Sequence, residues 1–200
     1  MKVHFRFALL LLLAAGLAGC GTTKVDRVAV DKVIDLSGQW NDTDSRLVAE
    51  QMIEDVFAHP WAGDYFARTG KKPVVIVGTI RNMSSEHLET GIFAKDVERE
   101  LVNSGNVKFV ANAYERQELR QERQEQQQFS TEETAKRLAA ETGADYMLKG
   151  SIKTQMDSEG RKQVKFYQTD LELIHLESNE KVWIGTKKIK KVVKKPRFKI

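Results

Sequence analysis

The sequence has only four histidines and one cysteine, and the spacing of its potential nucleophiles, acid–base catalysts and metal ligands matches no catalytic or metal-binding motif. Of the four histidines, His59, His87 and His175 stand in separate predicted elements, and none has a second ligand at the spacing of a metal site. The sequence contains no Gly-x-Ser-x-Gly nucleophile elbow, no phosphate-binding loop and no dinucleotide-binding fingerprint. We therefore interpret these histidines as solvated or hydrogen-bonded, and expect no catalytic residue, no metal and no cofactor.

Paired carboxylates are the remaining candidates for acid–base or cation-binding chemistry. Asp42 and Asp44 have the spacing of two cation ligands, but a calcium loop needs about five or more oxygens at fixed offsets and a closing glutamate. Such residues also accept hydrogen bonds from the free N–H groups that begin a helix, and we prefer this capping role. Glu98 and Glu100 lie two positions apart in a predicted helix, where side chains point in different directions, so we interpret them as surface charge.

Cys20 is the only cysteine, and it ends an N-terminal segment with the layout of an export signal. Lys2 and Arg6 form a basic region, and Phe7–Leu17 is an apolar stretch of 11 residues. A helix needs about 20 residues to cross the hydrocarbon of a bilayer, so this stretch is too short for a permanent span. The tetrapeptide Leu17–Cys20 resembles a lipobox, in which a peptidase cuts before the cysteine and the thiol carries a diacylglyceryl group. The alternative is an ordinary secretory signal that happens to end at a cysteine.

The lipobox interpretation divides the N-terminus into two parts. Residues 1–19 are a signal peptide that is removed, and residues 20–27 are the lipidated N-terminus and a short linker. Several acyl chains on Cys20 would anchor the protein stably, where a single chain holds only marginally. We expect a protein that is attached to a membrane through lipid without spanning it. Without a second cysteine, no intrachain disulfide can form.

The formal net charge of +4 hides an uneven distribution of charge. Residues 187–200 contain eight basic residues and no acidic one, so the rest of the chain carries −4. The chain as a whole is therefore not a basic nucleic-acid binder, and we expect no nucleic-acid partner. The basic segment protects a strand edge from aggregation, or it attracts anionic lipid or an anionic envelope polymer.

The elements that carry these side chains begin with a predicted strand. Apolar residues alternate with polar ones over Val28–Leu36, which favours a strand. A polar loop over Ser37–Asp44 leads into an amphipathic helix that continues to Phe57. Val74–Val77 is a continuous β-branched run, typical of a strand that is covered on both faces, and we place it at the centre of the sheet.

The middle of the chain alternates helices with a short strand. We predict a helix over Ile92–Val102, closed near Gly105, and a strand over Val107–Val110, an order that favours a parallel crossover. Two further helices are predicted over Tyr114–Gln128 and Thr131–Thr142.

Three predicted strands end the chain as a meander. Polar turns separate the three strands, which we predict over Tyr146 to Ile152, Tyr167 to Leu173 and Val182 to Ile184. The last strand continues into the lysines. The sum is an α/β fold: a single-domain sandwich with helices packed on a mixed sheet, whose first part is a parallel βαβ unit and whose C-terminal part is an antiparallel meander. We assign the domain to residues 28–190 and a basic C-terminal tail to residues 191–200.

Two tryptophans stand in the loops that bracket the first predicted helix. Trp40 precedes the helix and Trp61 follows it. A large aromatic residue in such a loop either plugs the core or serves a partner. Plugging is the default interpretation for both, and Trp40 is the candidate for a partner-binding residue.

Three ordered segments of the sequence, Asp35–Arg46, Pro73–Asn82 and Gly143–Ile152, resemble the LpoB family of penicillin-binding protein activators. The resemblance implies an outer-membrane lipoprotein on the periplasmic face. It would bind and activate a bifunctional, class A penicillin-binding protein, and so regulate peptidoglycan synthesis without being an enzyme. Gly21, directly after the lipidated cysteine, fits sorting to the outer membrane.

An alternative comes from the strand that opens with Gly143-Ala144-Asp145-Tyr146, which also resembles the related CsgG and TolB N-terminal folds. Family members that reach the synthase resemble a globe on a long, proline-rich tether, whereas the first proline here is Pro60. If a strand begins at Val28, only Gly21–Arg27 is free, and seven residues span at most about 25 Å. So short a tether favours a structural or secretion-accessory lipoprotein without synthase contact.

Overall fold

The computed structural model describes residues 25–29, 31–111, 115–119, 121–122 and 143–194, and the chain divides into one unit of residues 1–33 and a second of residues 34–200. The predicted strand over Val28–Leu36 is wrong. The described residues of this segment form neither helix nor strand, and Val33 and Leu36 are 68% and 94% exposed. Alternation supplies apolar side chains, but a strand also needs a neighbouring edge with which to exchange hydrogen bonds. Among the described residues, neither edge strand of the sheet pairs with this segment.

The second unit is built on a five-stranded mixed sheet. Its strands are β1 (Val74–Met83), β2 (Lys108–Phe109), β3 (Tyr146–Glu159), β4 (Lys162–His175) and β5 (Lys181–Lys194). Their order across the sheet is β2-β1-β3-β4-β5, with β1 parallel to β2 and β3, and with β3, β4 and β5 antiparallel. The predicted α/β class, parallel crossover and antiparallel meander are confirmed.

The position predicted for the β-branched strand is wrong, because β3 and not β1 is the middle strand. Val75 is fully buried on one face of β1, and Val74 and Ile76 are buried on the other. The β-branched run therefore indicates that both faces of the strand are buried. A strand next to the central strand is buried on both faces as well.

Three helices, α1 (Asp42–Ala58), α2 (Trp61–Thr69) and α3 (Thr90–Asn103), belong to the same unit. The Asn41 side chain accepts from the N–H of Asp44, and the Asp44 carboxylate accepts from the N–H of Asn41, a capping box that begins α1. The capping role predicted for Asp44 is confirmed. Sequence analysis missed α2, a helix of nine residues between Pro60 and Gly70.

The core lies between the helices and one face of the sheet. From α1 and α3 it receives one buried stripe each: Val48, Ala49, Met52, Ile53, Val56, and Phe93, Val97, Leu101. From β3 and β4 it receives alternate residues, as predicted: Tyr146, Leu148 and Ile152, and Leu171 and Leu173. Gly150 interrupts the β3 row, and a Cβ there would lie 2.1 Å from the carbonyl oxygen of Asp170. The close approach of β3 to β4 therefore requires glycine at this position.

Two of the predicted helices lie partly or wholly outside the described residues. Residues 115–119 and 121–122 are helical, within the helix predicted over Tyr114–Gln128. The helix predicted over Thr131–Thr142 lies outside the described residues.

Candidate functional site

The lipidation site and the end of the chain are not among the residues that the structure describes. Cys20 and residues 195–200 lie outside them. The described part of the basic segment belongs to strand β5, which runs to Lys194, and is not a tail. Its lysines differ in their surroundings, since the Lys191 side chain is 10% exposed whereas Lys188, Lys190 and Lys194 are exposed.

Both tryptophans singled out from the sequence plug the core. Trp40 is half-buried, with its ring edge-on to Phe93 at 6.1 Å and to Tyr167 at 5.7 Å between centroids, and its Nε1 donates to Ser45 Oγ at 2.8 Å. Trp61 is buried as the first residue of α2, and its Nε1 donates to the Val56 carbonyl at 2.7 Å. A partner-binding role for Trp40 stays a prediction.

A buried polar cluster that sequence analysis missed lies beside Trp40. Lys165 Nζ is 2.8 Å from Glu86 Oε1, and Tyr167 Oη donates to Glu86 Oε2 at 2.7 Å. Burial alone would raise the pKa of Glu86, but the hydrogen bonds from Lys165 and Tyr167 and the charge of Lys165 outweigh it and hold that pKa below its ordinary value. Burial and the Glu86 carboxylate raise the pKa of Tyr167 well above its ordinary value.

A signal for this cluster was present in the alternation of β4. Tyr167, Leu171 and Leu173 occupy odd positions and face the core, and the same period places Lys165 on the buried face. A charged residue on a buried face needs a counter-charge. The alternation does not identify Glu86 as that counter-charge, because Glu86 lies 79 residues away along the chain.

The segment Asp35–Trp40, which we call the clasp, packs against the C-terminal part of β5. Lys191 Nζ forms ion pairs with Asp35 at 2.9 Å and with Asp44 at 2.6 Å, and donates to the Gln39 carbonyl at 2.9 Å. Burial lowers the pKa of Lys191, but the hydrogen bonds to Asp44 and Asp35 outweigh it and raise that pKa above its usual range. The first residues of the folded unit are thereby fastened to α1 and β5.

Glycine is required at position 38 of the clasp for two reasons. Gly38 has φ of +66°, a conformation that side chains disfavour. A Cβ there would also lie 2.2 Å from Val193 Cγ2.

The opposite face of the sheet carries a shallow groove of about 530 Å³, which we call the open-face groove. It crosses four strands and is lined by Thr79, Arg81, Met83, Met147, Lys149, Gly150, Ser151, Lys153, Asp170, Glu172 and Ile184. Met83 and Ile184 are 58% and 60% exposed. This combination of open apolar side chains and charges is suited to binding and contains no histidine or cysteine.

The two acidic residues of the open-face groove are already neutralised. Asp170 accepts from Lys153 Nζ at 3.0 Å, from Gln168 Nε2 at 2.8 Å and from Thr186 Oγ1 at 2.9 Å. Burial would raise the pKa of Asp170, but these three hydrogen bonds together hold it below its ordinary value. Glu172 Oε1 lies 2.9 Å from Lys181 Nζ.

The described residues carry two candidate sites, the buried Lys165–Glu86 cluster and the open-face groove. No group of three or more His, Cys, Asp or Glu side chains among them is arranged to hold a metal ion. No helix in the described part of the chain is long and apolar enough to cross a membrane.

Residues 44–189 match the family model described as peptidoglycan-synthase activator LpoB. No protein with a curated function matches the sequence. Similar solved structures include the LpoB C-terminal domain from Salmonella enterica, at 17% identity over 73% of this chain and 98% of that one, with a TM-score of 0.43. The LpoB C-terminal domain from Escherichia coli has 16% identity, the same coverage and a TM-score of 0.41. Lipoprotein GNA1162 from Neisseria meningitidis has 12% identity over 60% of this chain and 84% of that one, with a TM-score of 0.35.

The matched region begins in the first turn of α1 and ends in β5, so it covers all or most of every helix and strand named above and the whole open-face groove. The match includes Pro73–Asn82, Gly143–Ile152 and the last three residues of Asp35–Arg46, and the chain belongs to the peptidoglycan-synthase activator LpoB family.

Proposed function

We propose that this protein binds a bifunctional, class A penicillin-binding protein from the periplasmic face of the outer membrane and stimulates its glycan polymerisation. The observation that carries the proposal is the family match over residues 44–189. A regulator needs a surface for its partner and no reactive centre of its own, which agrees with the open-face groove. The protein acts on the synthase and not on the glycan substrate.

The anchor in this proposal is lipid on Cys20. The signal layout of residues 1–19 and the lipobox-like Leu17–Cys20 support it, and Gly21 supports sorting to the outer membrane. The acyl chains hold the protein at the membrane while the folded unit faces the periplasm.

The alternative of a CsgG- or TolB-like accessory lipoprotein was favoured by a short tether, and that argument loses its premise. That alternative depended on a strand from Val28, which would leave a reach of about 25 Å. Thirteen residues, 21–33, lie between Cys20 and the unit of residues 34–200, and a chain of thirteen residues reaches at most about 45 Å. The geometric objection to reaching a partner is therefore weaker than the sequence alone implied.

The test uses the mature lipoprotein in detergent together with a class A penicillin-binding protein purified from the same cell envelope. We expect the two to co-purify and the rate of glycan polymerisation from lipid-linked precursor to rise when the lipoprotein is added. Heat-unfolded lipoprotein is the control, and it should leave the rate unchanged. Absence of both binding and acceleration would overturn the proposal. Ring-shaped oligomers without synthase binding would favour the accessory role.

A further inference from the structure

The open-face groove exposes apolar side chains where a sheet face open to water carries polar ones. Met83 stands on β1 and Ile184 on β5, at opposite ends of the groove, and both are more than half exposed. Three steps between neighbouring strands, about 14 Å, separate β1 from β5, and Ile184 also lies four residues, about 13 Å, from the β5 position opposite Met83, so the diagonal between them is about 20 Å. An extended segment of about six residues fits that distance, since each residue advances about 3.3 Å.

Two cations of the groove have no partner in the described part of the chain. Arg81 and Lys149 form no hydrogen bond or ion pair there, whereas Lys153 and the nearby Lys181 are engaged by Asp170 and Glu172. Lys149 lies directly opposite Glu172 in the β3–β4 register, yet Glu172 is bound by Lys181 instead. The groove therefore carries two uncompensated positive charges, which attract carboxylates.

Arg81 and Lys149 stand on adjacent strands, close enough to act on one ligand. Arg81 pairs with Ser151 in the β1–β3 register, and Ser151 follows Lys149 by two residues on the same face. A guanidinium can hold a carboxylate through two parallel hydrogen bonds, and an ammonium adds a point charge beside it. Asp170 lies in the groove between these cations and Ile184, and the hydrogen bonds that it accepts fix this part of the groove surface.

We infer that the open-face groove is the docking site for an acidic, extended surface segment of the synthase, whose carboxylates meet Arg81 and Lys149 and whose apolar side chains cover Met83 and Ile184. This inference rests on the proposed function. Met and Arg are enriched in protein interfaces, whereas an anionic glycan or lipid headgroup requires only positive charge. Lys188, Lys190 and Lys194 of β5 continue the same open face beyond the groove, beside the exposed Val192, so positive charge extends along this face from the groove.

The experiment compares two pairs of charge reversals in the mature lipoprotein. The groove variant is Arg81→Glu with Lys149→Glu, and the matched control is Lys71→Glu with Lys72→Glu, two exposed lysines before β1, which makes the same change in net charge outside the groove. We expect the groove variant to bind the class A synthase at least tenfold more weakly and to lose stimulation. The control should stay within threefold of the wild-type affinity. The salt dependence of Kd should also flatten in the groove variant, because two charges that steer the encounter are reversed.

A second variant tests the apolar half of the groove without reversing charge. Met83→Ala with Ile184→Ser removes two exposed side chains, so unfolding in urea should be nearly unchanged while the affinity for the synthase falls. If wild-type protein binds the synthase and both groove variants bind equally well, the docking site is wrong and the proposed function stands. If wild-type protein does not bind the synthase, both fall. Loss of binding in the control pair alone would contradict the groove as the docking site.

Discussion

Lys165 and Glu86 form an ion pair of 2.8 Å between Nζ and Oε1, in which each side chain is only 8% exposed. The pair joins β4 to the loop that follows β1, and Tyr167 completes it by donating to the second carboxylate oxygen. Removing charges from water is costly, and the cost is offset only when each charge keeps its partners. The pair is therefore a point where a single substitution has a large effect.

Replacing Glu86 by alanine leaves the Lys165 ammonium buried without a counter-charge. We expect the free energy of unfolding to fall by about 3–5 kcal/mol, measured by urea denaturation. The control is Glu50→Ala, which breaks the exposed Arg46–Glu50 pair of 3.1 Å on α1 and should cost less than about 0.5 kcal/mol. Equal losses in the two variants would show that burial gives the Lys165–Glu86 pair no special weight.

Stability should decline in acid partly through Glu86. The pKa of Glu86 is lower in the folded protein than its ordinary value of 4.5, so its contribution is complete above that value and is lost as the pH falls through the folded pKa. The wild-type free energy of unfolding should therefore drop as the pH falls below 4.5 and through the folded pKa, and the drop should be smaller in Glu86→Gln. Asp170, whose pKa is also lowered, keeps part of the acid dependence in that variant. Parallel pH curves for the two proteins would contradict the assignment.

Replacing Gly38 by alanine should open the clasp. Residue 38 has a left-handed backbone conformation, which a Cβ disfavours, and the new Cβ would also collide with Val193. We therefore expect the free energy of unfolding to fall by about 2–4 kcal/mol, measured by thermal or urea unfolding. Gly70→Ala is a matched control, because Gly70 has φ of +68° and a Cβ added there would meet no atom within 4 Å. The control should lose only the backbone component, about 1 kcal/mol. A loss of the same size at both positions would mean that Val193 moves aside without cost.

Replacing Cys20 by serine removes the thiol that we propose carries the lipid. We expect the variant to leave the membrane fraction and to appear in the soluble periplasmic fraction, because no acyl chain can be attached. The purified variant should keep its urea unfolding midpoint, since the folded unit begins at Ile34. Unchanged fractionation with membranes would contradict the lipid anchor.

Short-range spacing predicted the elements whose residues repeat with a clear period. The stripe of α1, the helix α3 and the alternation in β3 and β4 are confirmed, because helix and strand periods are written in neighbouring residues. The capping role of Asp44 was predicted for the same reason, whereas its pairing with Asn41 in a capping box was found only in the structure. The helix α2 was missed because nine residues between Pro60 and Gly70 carry too short a pattern.

By itself, the sequence determined the α/β class, the meander and the membership of a family suggested by three ordered segments. Only the tertiary structure decided that Val28–Leu36 is not a strand, that β3 occupies the middle of the sheet, and that Lys165 meets Glu86. It also decided that Arg81 and Lys149 share one groove. The physical reason is common to all four. Periodicity depends on residues a few positions apart, whereas strand pairing and charge pairing depend on which distant segments become neighbours when the chain folds.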